Sequence, residues 1–268
     1  MVDKIANLPR KEKPLLNDEI AINDVGGGNI DSKITVSKLL NISPPVTNYL
    51  TMPDLKRWGI FMSTGGSTLP ASSAIGLFAD ILSTGTLQAG TRDAEGVRQR
   101  FTTGAVVGNQ AGFRDTVTVN LFRRSERCRL KFKIKLVTTT VQRFYFGFKG
   151  TSAFVPNTDD PLLTDGGVGL CIITTSTNWQ MAYNDVSGST VFTDLGIPIS
   201  TTTITVEIKA DDNNTGFQWS INGGDFSRIQ TSDVPASAQD LIYHAIITTN
   251  ETVAKNFEVF WVLVGNNL

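Results

Sequence analysis

The chain is poor in the residues that most often build metal centres and nucleophilic sites. Its 268 residues include one histidine, His244, and two cysteines, Cys128 and Cys171. Two cysteines are too few for a disulfide framework or a zinc ribbon. Both lie in apolar, strand-like runs, so we expect buried reduced thiols, with a single bridge between them left open. A Ser-His-Asp site would depend on His244 alone, and its strand-like surroundings favour a structural residue.

Charge is also scarce. Asp, Glu, Lys and Arg together make up 18% of the residues and the net charge is −1, whereas about a quarter of an average globular chain is charged. Such a balanced chain is not expected to bind nucleic acid. No run reaches the length of about 18 apolar residues that a membrane-spanning helix needs. Residues 1–20 lack the apolar core of a signal peptide, so classical secretion is not the expected route.

Alternating apolar and polar residues dominate the second half of the chain. The clearest case is residues 128–136, CRLKFKIKL, in which every second side chain is apolar. Further alternating runs follow at 178–184 and 204–208, separated by polar turns. This spacing predicts an all-β protein built as an antiparallel β-sandwich or jelly roll. The polar members of the first run are Arg129, Lys131, Lys133 and Lys135.

Those four basic side chains support two interpretations. A row of cations on one strand face is a candidate polyanion site or subunit interface. The same alternation marks an ordinary solvated face or a strand edge protected by charge. The surrounding segment 92–149 has 13 Lys and Arg against 4 Asp and Glu, while residues 151–227 have 1 against 9. These two segments either form separate solvated faces or meet, including across subunits.

The run GFQWSINGG at residues 216–224 predicts a strand followed by a tight turn. Phe217, Trp219 and Ile221 share one face and match the apolar face of residues 204–208 across a hairpin. We therefore expect Trp219 to be a core residue and not a sugar-stacking platform. The Asn222-Gly223 pair supplies the positive φ angles of the turn.

Three segments are predicted along the chain. Residues 1–48 contain two short strands around a glycine-rich turn, ending at Pro44-Pro45. Residues 49–96 form a partly extended transition, in which residues 74–82 are either a short helix or an irregular apolar segment. Residues 97–268 form the sandwich.

Candidates for catalysis are few, and we predict a protein that is not an enzyme. Glu207 and Glu258 are the carboxylates that stand out on strands, and each also fits the solvent-facing member of an alternating strand. No strand carries acidic residues at i, i+2 or i+4, a spacing that would line up a general acid and a nucleophile on one sheet face.

Loops rich in oxygen ligands raise the possibility of calcium. Asp159, Asp160 and Asp165 lie in one acidic loop, and Asn184-Asp185 lies in another. Such loops bind Ca²⁺ in many proteins, but the same residues are typical of ordinary Asx turns, so no cofactor is predicted firmly. Trp179, Tyr183, Asn184 and Asp185 are the candidate contacts for a sugar, with Trp58 and Tyr243 as further aromatic candidates.

The N-terminal segment resembles an attachment segment found in tailed-phage and related virus structural proteins. The resemblance is carried by Leu8-Pro9, by LNDEIAIND at 16–24 and by KITVSKLL at 33–40. It implies that residues 1–48 anchor the chain to other virion proteins, with Ile20, Ile22, Ile34 and Val36 as the anchoring side chains. It also implies a virion protein, such as a tail fibre, spike or capsid-surface knob, that is assembled in the host cytoplasm.

Residues 97–268 resemble the concanavalin-A-like lectin and glucanase sandwich as it recurs in virion proteins. The resemblance rests on residues 159–170, 178–180 and 206–208 and on FQWSINGG at 217–224. It implies a homo-oligomer, with a trimer favoured, that adheres to the host surface, with a surface glycan as the candidate partner. The alternative is a carbohydrate-binding module as such, and a polysaccharide-degrading glycanase is the third interpretation.

Overall fold

A computed structural model describes residues 19–22, 32–35, 57–62, 80–81, 85–114, 122–150, 154–163 and 165–266, with side chains placed from residue 94 onward. The chain divides into two compact units, residues 1–54 and 55–268. In the first unit, β1 (Glu19–Ile22) pairs antiparallel with β2 (Ser32–Thr35), and Ile20 lies opposite Ile34. The two predicted N-terminal strands are therefore present, while Val36 lies outside the described residues.

The second unit consists of antiparallel strands. Their bounds are β3 (Arg57–Met62), β4 (Asp80–Ile81), β5 (Gly85–Asp93), β6 (Gly96–Thr103), β7 (Gln110–Arg114), β8 (Arg129–Leu136), β9 (Gln142–Lys149), β10 (Gly167–Ile172), β11 (Asn178–Asn184), β12 (Val191–Pro198), β13 (Ile204–Ala210), β14 (Phe217–Ile221), β15 (Ile242–Thr249) and β16 (Asn256–Asn266). The described residues contain a single 3₁₀ turn, Arg124–Glu126, and no helix long and apolar enough to cross a membrane. The helix candidate at 74–82 lies largely outside them.

These strands form two sheets. Sheet I has the order β12-β11-β10-β9-β15-β7-β4, and sheet II has the order β14-β13-β8-β16-β6-β5. Strand β3 pairs with the C-terminal half of β16, beyond the part of β16 that pairs with β6. Strands β3 and β5, which fall within the predicted transition segment, thus belong to sheet II. The two sheets form the antiparallel sandwich that the alternation predicts.

Phenylalanine rings fill the space between the sheets. Phe132 of β8 stacks on Phe146 of β9 with ring centroids 3.8 Å apart, and Phe101 of β6 stacks on Phe113 of β7 at 5.0 Å. Each of these rings is fully buried, which stabilises the fold by roughly 1.5–3 kcal/mol per side chain. Cys128 belongs to this core, and both cysteines are free and buried, as expected.

A second, smaller apolar cluster lies on the outer face of sheet I. It includes Tyr145, Cys171 and Ile246 from β9, β10 and β15. Residues 154–163 of the β9–β10 connection, here called the strap, cover this cluster with Val155 and Leu162. The strap thereby buries the outer face of sheet I, which is itself apolar.

The β13–β14 hairpin confirms the predicted pairing. Ile208 lies opposite Trp219 and Val206 lies opposite Ile221. Asn222 and Gly223 have φ angles of 51° and 76°, as the turn requires. The chain then returns along β14, where Phe217 bridges to Gln230. Residues 227–230 therefore extend the edge of sheet II.

Candidate functional site: a cleft at the open edge of the sandwich

The cleft forms where the edges of the two sheets part. On sheet I the edge strand is β12, and on sheet II it is β14 together with the returning segment 227–230. Between them lies a cavity of about 370 Å³. It is lined by Thr193, Trp219, Ser227, Arg228, Ile229, Gln230, Thr231 and Ser232. These residues are called the Trp219 cleft.

Trp219 contributes to both the core and the cleft. Its alternating position on β14 directs the indole between the sheets, where it belongs to the main core cluster and is 8% exposed. Tyr183 of β11 packs beside it with ring centroids 6.4 Å apart. The Tyr183 hydroxyl lies 2.9 Å from Oγ1 of Thr193, a cleft residue on β12. The expectation of a core tryptophan is confirmed, and the same indole lines the cleft because β14 lies at the edge of its sheet.

Backbone pairing holds the opposite wall in place. The Ser227 N–H donates to the Trp219 carbonyl at 2.7 Å, and the Trp219 N–H donates to the Ser227 hydroxyl at 3.0 Å. Farther along, Nε2 of Gln230 donates to the Ser232 carbonyl at 2.9 Å. The wall is thus a continuation of sheet II and not an unsupported loop, which pre-organises its side chains.

The chemistry of the Trp219 cleft is that of a binding site. Its lining combines the Trp219 side chain, which is 8% exposed, with hydroxyl, amide and guanidinium groups and with the exposed apolar side chain of Ile229. An apolar surface with a few placed polar groups is the usual composition of a small-ligand site. Its lining contains serine and threonine hydroxyls but no histidine, cysteine or carboxylate that would activate one as a nucleophile.

The four predicted sugar contacts are placed in different surroundings. Trp179 points between the sheets, is 2% exposed and meets Phe144 edge-to-face. Tyr183 is 5% exposed and reaches the cleft from inside through Thr193. Asn184 is buried and donates to the Leu163 carbonyl at 2.6 Å, which ties the strap to β11. Their contact with a ligand stays a prediction.

Asp185, the fourth of these residues, lies on the surface. It accepts hydrogen bonds from the backbone N–H and the hydroxyl of Ser187, at 2.8 and 2.6 Å. These bonds lower the pKa of its carboxyl group. The arrangement is an Asx turn.

The three aspartates predicted for calcium each have a separate partner. Asp159 accepts from Nε of Arg143 at 2.7 Å and from the Thr174 hydroxyl at 2.7 Å. Asp160 accepts from the Leu163 N–H at 2.8 Å, and Asp165 pairs with the buried ammonium of Lys149. Across the part of the chain that the structure describes, no three His, Cys, Asp or Glu side chains converge as metal ligands do. Calcium binding stays a prediction for the loops that hold these residues.

The basic row of β8 lies on the outer face of sheet II among acidic partners. Arg129 and Lys131 both pair with Glu207 of the neighbouring strand β13. Lys135 pairs with Glu95 at 2.7 Å, and the Lys133 ammonium lies 4.5 Å from the centre of the Phe260 ring. The structure shows that each of the four basic side chains already has a contact within the chain. A role of the row in binding a polyanion or in a subunit interface stays a prediction.

The basic and acidic segments of the sequence meet within one chain. The pairs Arg129–Glu207, Arg143–Asp159 and Lys149–Asp165 each join a cation from residues 92–149 to a carboxylate from residues 151–227. Two of these pairs lie on the face of sheet I that carries the strap, and one lies on sheet II. The charge asymmetry of the sequence therefore needs no second subunit to be balanced.

The residues considered for catalysis have structural surroundings. Glu258 is 1% exposed, and its two oxygens accept from Arg98 and Arg100, each at 2.5 Å. Glu207 pairs with Arg129 and Lys131, as described. The His244 ring is fully buried and meets the Phe154 ring of the strap edge-to-face. Burial raises the pKa of both cysteine thiols far above its usual value, which keeps them protonated.

Sequence patterns did not reveal the cleft. Its residues Ser227 to Ser232 have no strand alternation and come after a turn, where a loop is the natural prediction. The one available signal was Trp219, whose neighbour across the sheets is Tyr183. Alternation shows which way Trp219 points, but not that its strand lies at the edge of the sheet.

The described architecture is an antiparallel jelly-roll sandwich. No family model and no curated protein matches the sequence, but solved structures match the fold. A Shewanella oneidensis MR-1 protein of unknown function has a TM-score of 0.55 and 10% identity, over 85% of this chain and 95% of that one. Bacillus licheniformis β-glucanase has a TM-score of 0.50 and 12% identity, over 78% of this chain and 98% of that chain.

Lectins share the same fold. The exoplasmic/lumenal domain of VIP36 in its Ca²⁺-bound form has a TM-score of 0.51 and 8% identity, over 80% of this chain and 93% of that chain. Identities this low establish a shared sandwich only. The fold is therefore common to a glucanase and to a lectin, and a shared fold does not determine function.

Proposed function

We propose that the sandwich is a non-catalytic carbohydrate-binding module and that the Trp219 cleft is its binding site. The observation that carries this proposal is the cleft itself, in which the Trp219 side chain lies beside hydroxyl, amide and guanidinium groups. Trp219 remains a core residue, as its alternation predicts, and the proposal adds a ligand contact through the part that lines the cleft. A sugar ring has apolar C–H faces and a polar edge, and this combination of groups complements both. The likeness of the fold to a lectin and a glucanase supports a carbohydrate-related role.

The side chains with catalytic potential support binding over cleavage. Glu207 and Glu258 lie against two cations each, on the outer face of sheet II. Both carboxylates are thereby engaged by ion pairs within the sheet, and neither lines the Trp219 cleft. A fall in polysaccharide viscosity that is abolished by Glu207→Gln or Glu258→Gln would instead establish a glycanase.

A glycan array tests the binding function directly. The full chain is applied with and without Ca²⁺, and each hit is measured by calorimetry. Thr231→Tyr fills the cleft from its exposed rim and is expected to abolish binding. Thr202→Tyr, at an exposed loop position outside the cleft, is the matched control and is expected to bind as the wild type does. An array without hits under both conditions would exclude the proposal.

The attachment of this module to a larger particle is a separate proposal. We propose that residues 1–48 attach it to a virion as part of a fibre, spike or capsid-surface knob, an inference that rests on the resemblance of that segment alone. A trimer is proposed from the resemblance of residues 97–268 to the sandwich of such virion proteins. Immunogold labelling of purified particles and light scattering of the protein test these two points. Absence from particles would remove the virion setting and leave the binding module standing.

A further inference from the structure

The Trp219 cleft has a single charged side chain, Arg228. Its side chain is exposed and lines the cleft beside Gln230. Among the described side chains, only Arg127 and Arg228 are cations with no hydrogen bond, ion pair or ring contact from their guanidinium or ammonium group. Arg127 lies outside the cleft, at the end of the 3₁₀ turn. Arg228 is therefore a guanidinium available to a ligand.

Nearby carboxylates do not neutralise Arg228. Asp194 follows the cleft residue Thr193 on β12, but alternation directs it to the other face, where it accepts hydrogen bonds from Asn178 and the Gly196 N–H. Asp233 follows the cleft residue Ser232 and makes no ion pair with Arg228 among the described residues. The cleft thus offers an exposed guanidinium that has no ion-pair partner among the described residues, beside the Trp219 side chain.

A guanidinium in this position has a preferred partner. Its planar donors match the two oxygens of a carboxylate, with which it forms paired, charge-assisted hydrogen bonds. The net charge of the whole chain is −1, so its long-range field does not attract anions. Selection of an anion therefore depends on direct contact with Arg228, which is a short-range and specific interaction.

We infer that the cleft binds an acidic saccharide, with the sugar ring against Trp219 and its carboxylate on Arg228. This inference rests on the proposed carbohydrate-binding function and adds the class of ligand. Uronic acids and sialic acids share the required chemistry, a carboxylate attached to a pyranose ring. The neutral rim donors serve the hydroxyl groups, while Arg228 provides the preference for the acid.

Matched pairs of ligands test the inference. The probes are oligogalacturonate, oligomannuronate and sialyllactose, each compared by calorimetry with its methyl ester, which keeps the sugar and removes the charge. We expect at least one acid to bind about ten-fold more tightly than its ester, as a charge-assisted hydrogen bond allows. The pair that shows the preference distinguishes a uronate from a sialate.

Variants of the full chain assign the preference to Arg228. Arg228→Gln is expected to weaken binding of the acid far more than binding of the ester, and so to remove the difference between them, and Arg228→Lys to retain part of that difference. Arg127→Gln is the matched control, because Arg127 is also exposed and unpartnered but lies outside the cleft. It is expected to change the affinity for neither the acid nor the ester. Unfolding midpoints of all variants are measured in parallel, since an exposed side chain should leave them unchanged.

The outcomes separate this inference from the proposed function. Equal binding of acid and ester by the wild type, or a preference that survives Arg228→Gln, overturns the acidic ligand but leaves a carbohydrate-binding module. Failure of every probe, together with an array without hits, overturns both. An array that yields only neutral glycans overturns the acidic ligand and supports the module.

Discussion

The outer faces of the two sheets are stabilised in different ways. On sheet I, an apolar cluster lies beneath the strap, and hydrogen bonds and ion pairs fasten the strap at its margins. On sheet II, charged side chains of neighbouring strands neutralise one another within the face, as at Glu258 and Glu207. Neither face resembles the cleft, whose polar groups include an unpaired cation. The ion pairs of the two outer faces stabilise the sheets, whereas Arg228 of the cleft has no ion-pair partner among the described residues.

The largest effect is expected from Glu258→Ala on sheet II. The substitution removes the carboxylate that both Arg98 and Arg100 contact, and the Arg98 side chain is only 7% exposed. Loss of one member of a buried ion pair costs about 3–5 kcal/mol of the free energy of unfolding, measured by urea denaturation. Glu95→Ala removes a half-exposed carboxylate near the same arginine and should cost less than about 1 kcal/mol. Equal effects would show that burial of the pair is unimportant.

The two members of the ion pair beneath the strap are expected to differ in how much their replacement lowers the free energy of unfolding. Asp165 contacts the fully buried Lys149, whose pKa is lowered by burial although Asp165 opposes that shift. Asp165→Asn leaves this ammonium without the carboxylate and should cost about 3 kcal/mol. Lys149→Met replaces the ammonium with an apolar chain of similar length and should cost about 1 kcal/mol or less. Urea denaturation of both variants measures the difference, and the reverse order would contradict this account.

On the outer face of sheet I, close packing leaves no room for a side chain at Gly169. A Cβ atom at Gly169 would lie 2.6–2.8 Å from the Tyr145 ring, which covers this position on the outer face. Gly169→Ala is therefore expected to cost about 1–3 kcal/mol through overpacking. Combining it with Tyr145→Ala should cost less than the sum of the two single changes. Additive free energies of unfolding would mean that the ring does not cause the strain.

The smallest effect is expected where the strap meets solvent. Burial raises the pKa of Asp159, but hydrogen bonds from Thr174 and the Arg143 guanidinium outweigh it, so the net pKa lies below the usual 3.8. The resulting stability is present above the unfolded-state pKa and is lost as the pH falls from about 4 through the folded-state value. Asp159→Asn should abolish this part of the acid dependence and cost less than about 1 kcal/mol at neutral pH. An unchanged acid profile would exclude the contribution.

Prediction from sequence succeeded where a pattern is local. The alternation in β8 gave both its buried and its charged face, and the β13–β14 hairpin followed from two runs and one turn. The sequence did not predict that Glu207 lies between Arg129 and Lys131. The register between strands that are distant in sequence is a property of the whole sheet. The cleft was missed for a related reason, since it depends on which strands lie at the sheet edges.

The return of residues 227–230 along β14 also bears on how this protein avoids aggregation. An unpaired edge strand is a template for strands of other molecules, and here Gln230 and Ser227 occupy hydrogen-bonding groups of β14 that would otherwise be open. On the opposite side of the cleft, β12 carries Gly196 in a left-handed conformation and ends at Pro198, which interrupts regular pairing. The segment that lines the cleft therefore also covers the outer side of β14, and the edge of sheet II is this short segment instead of β14.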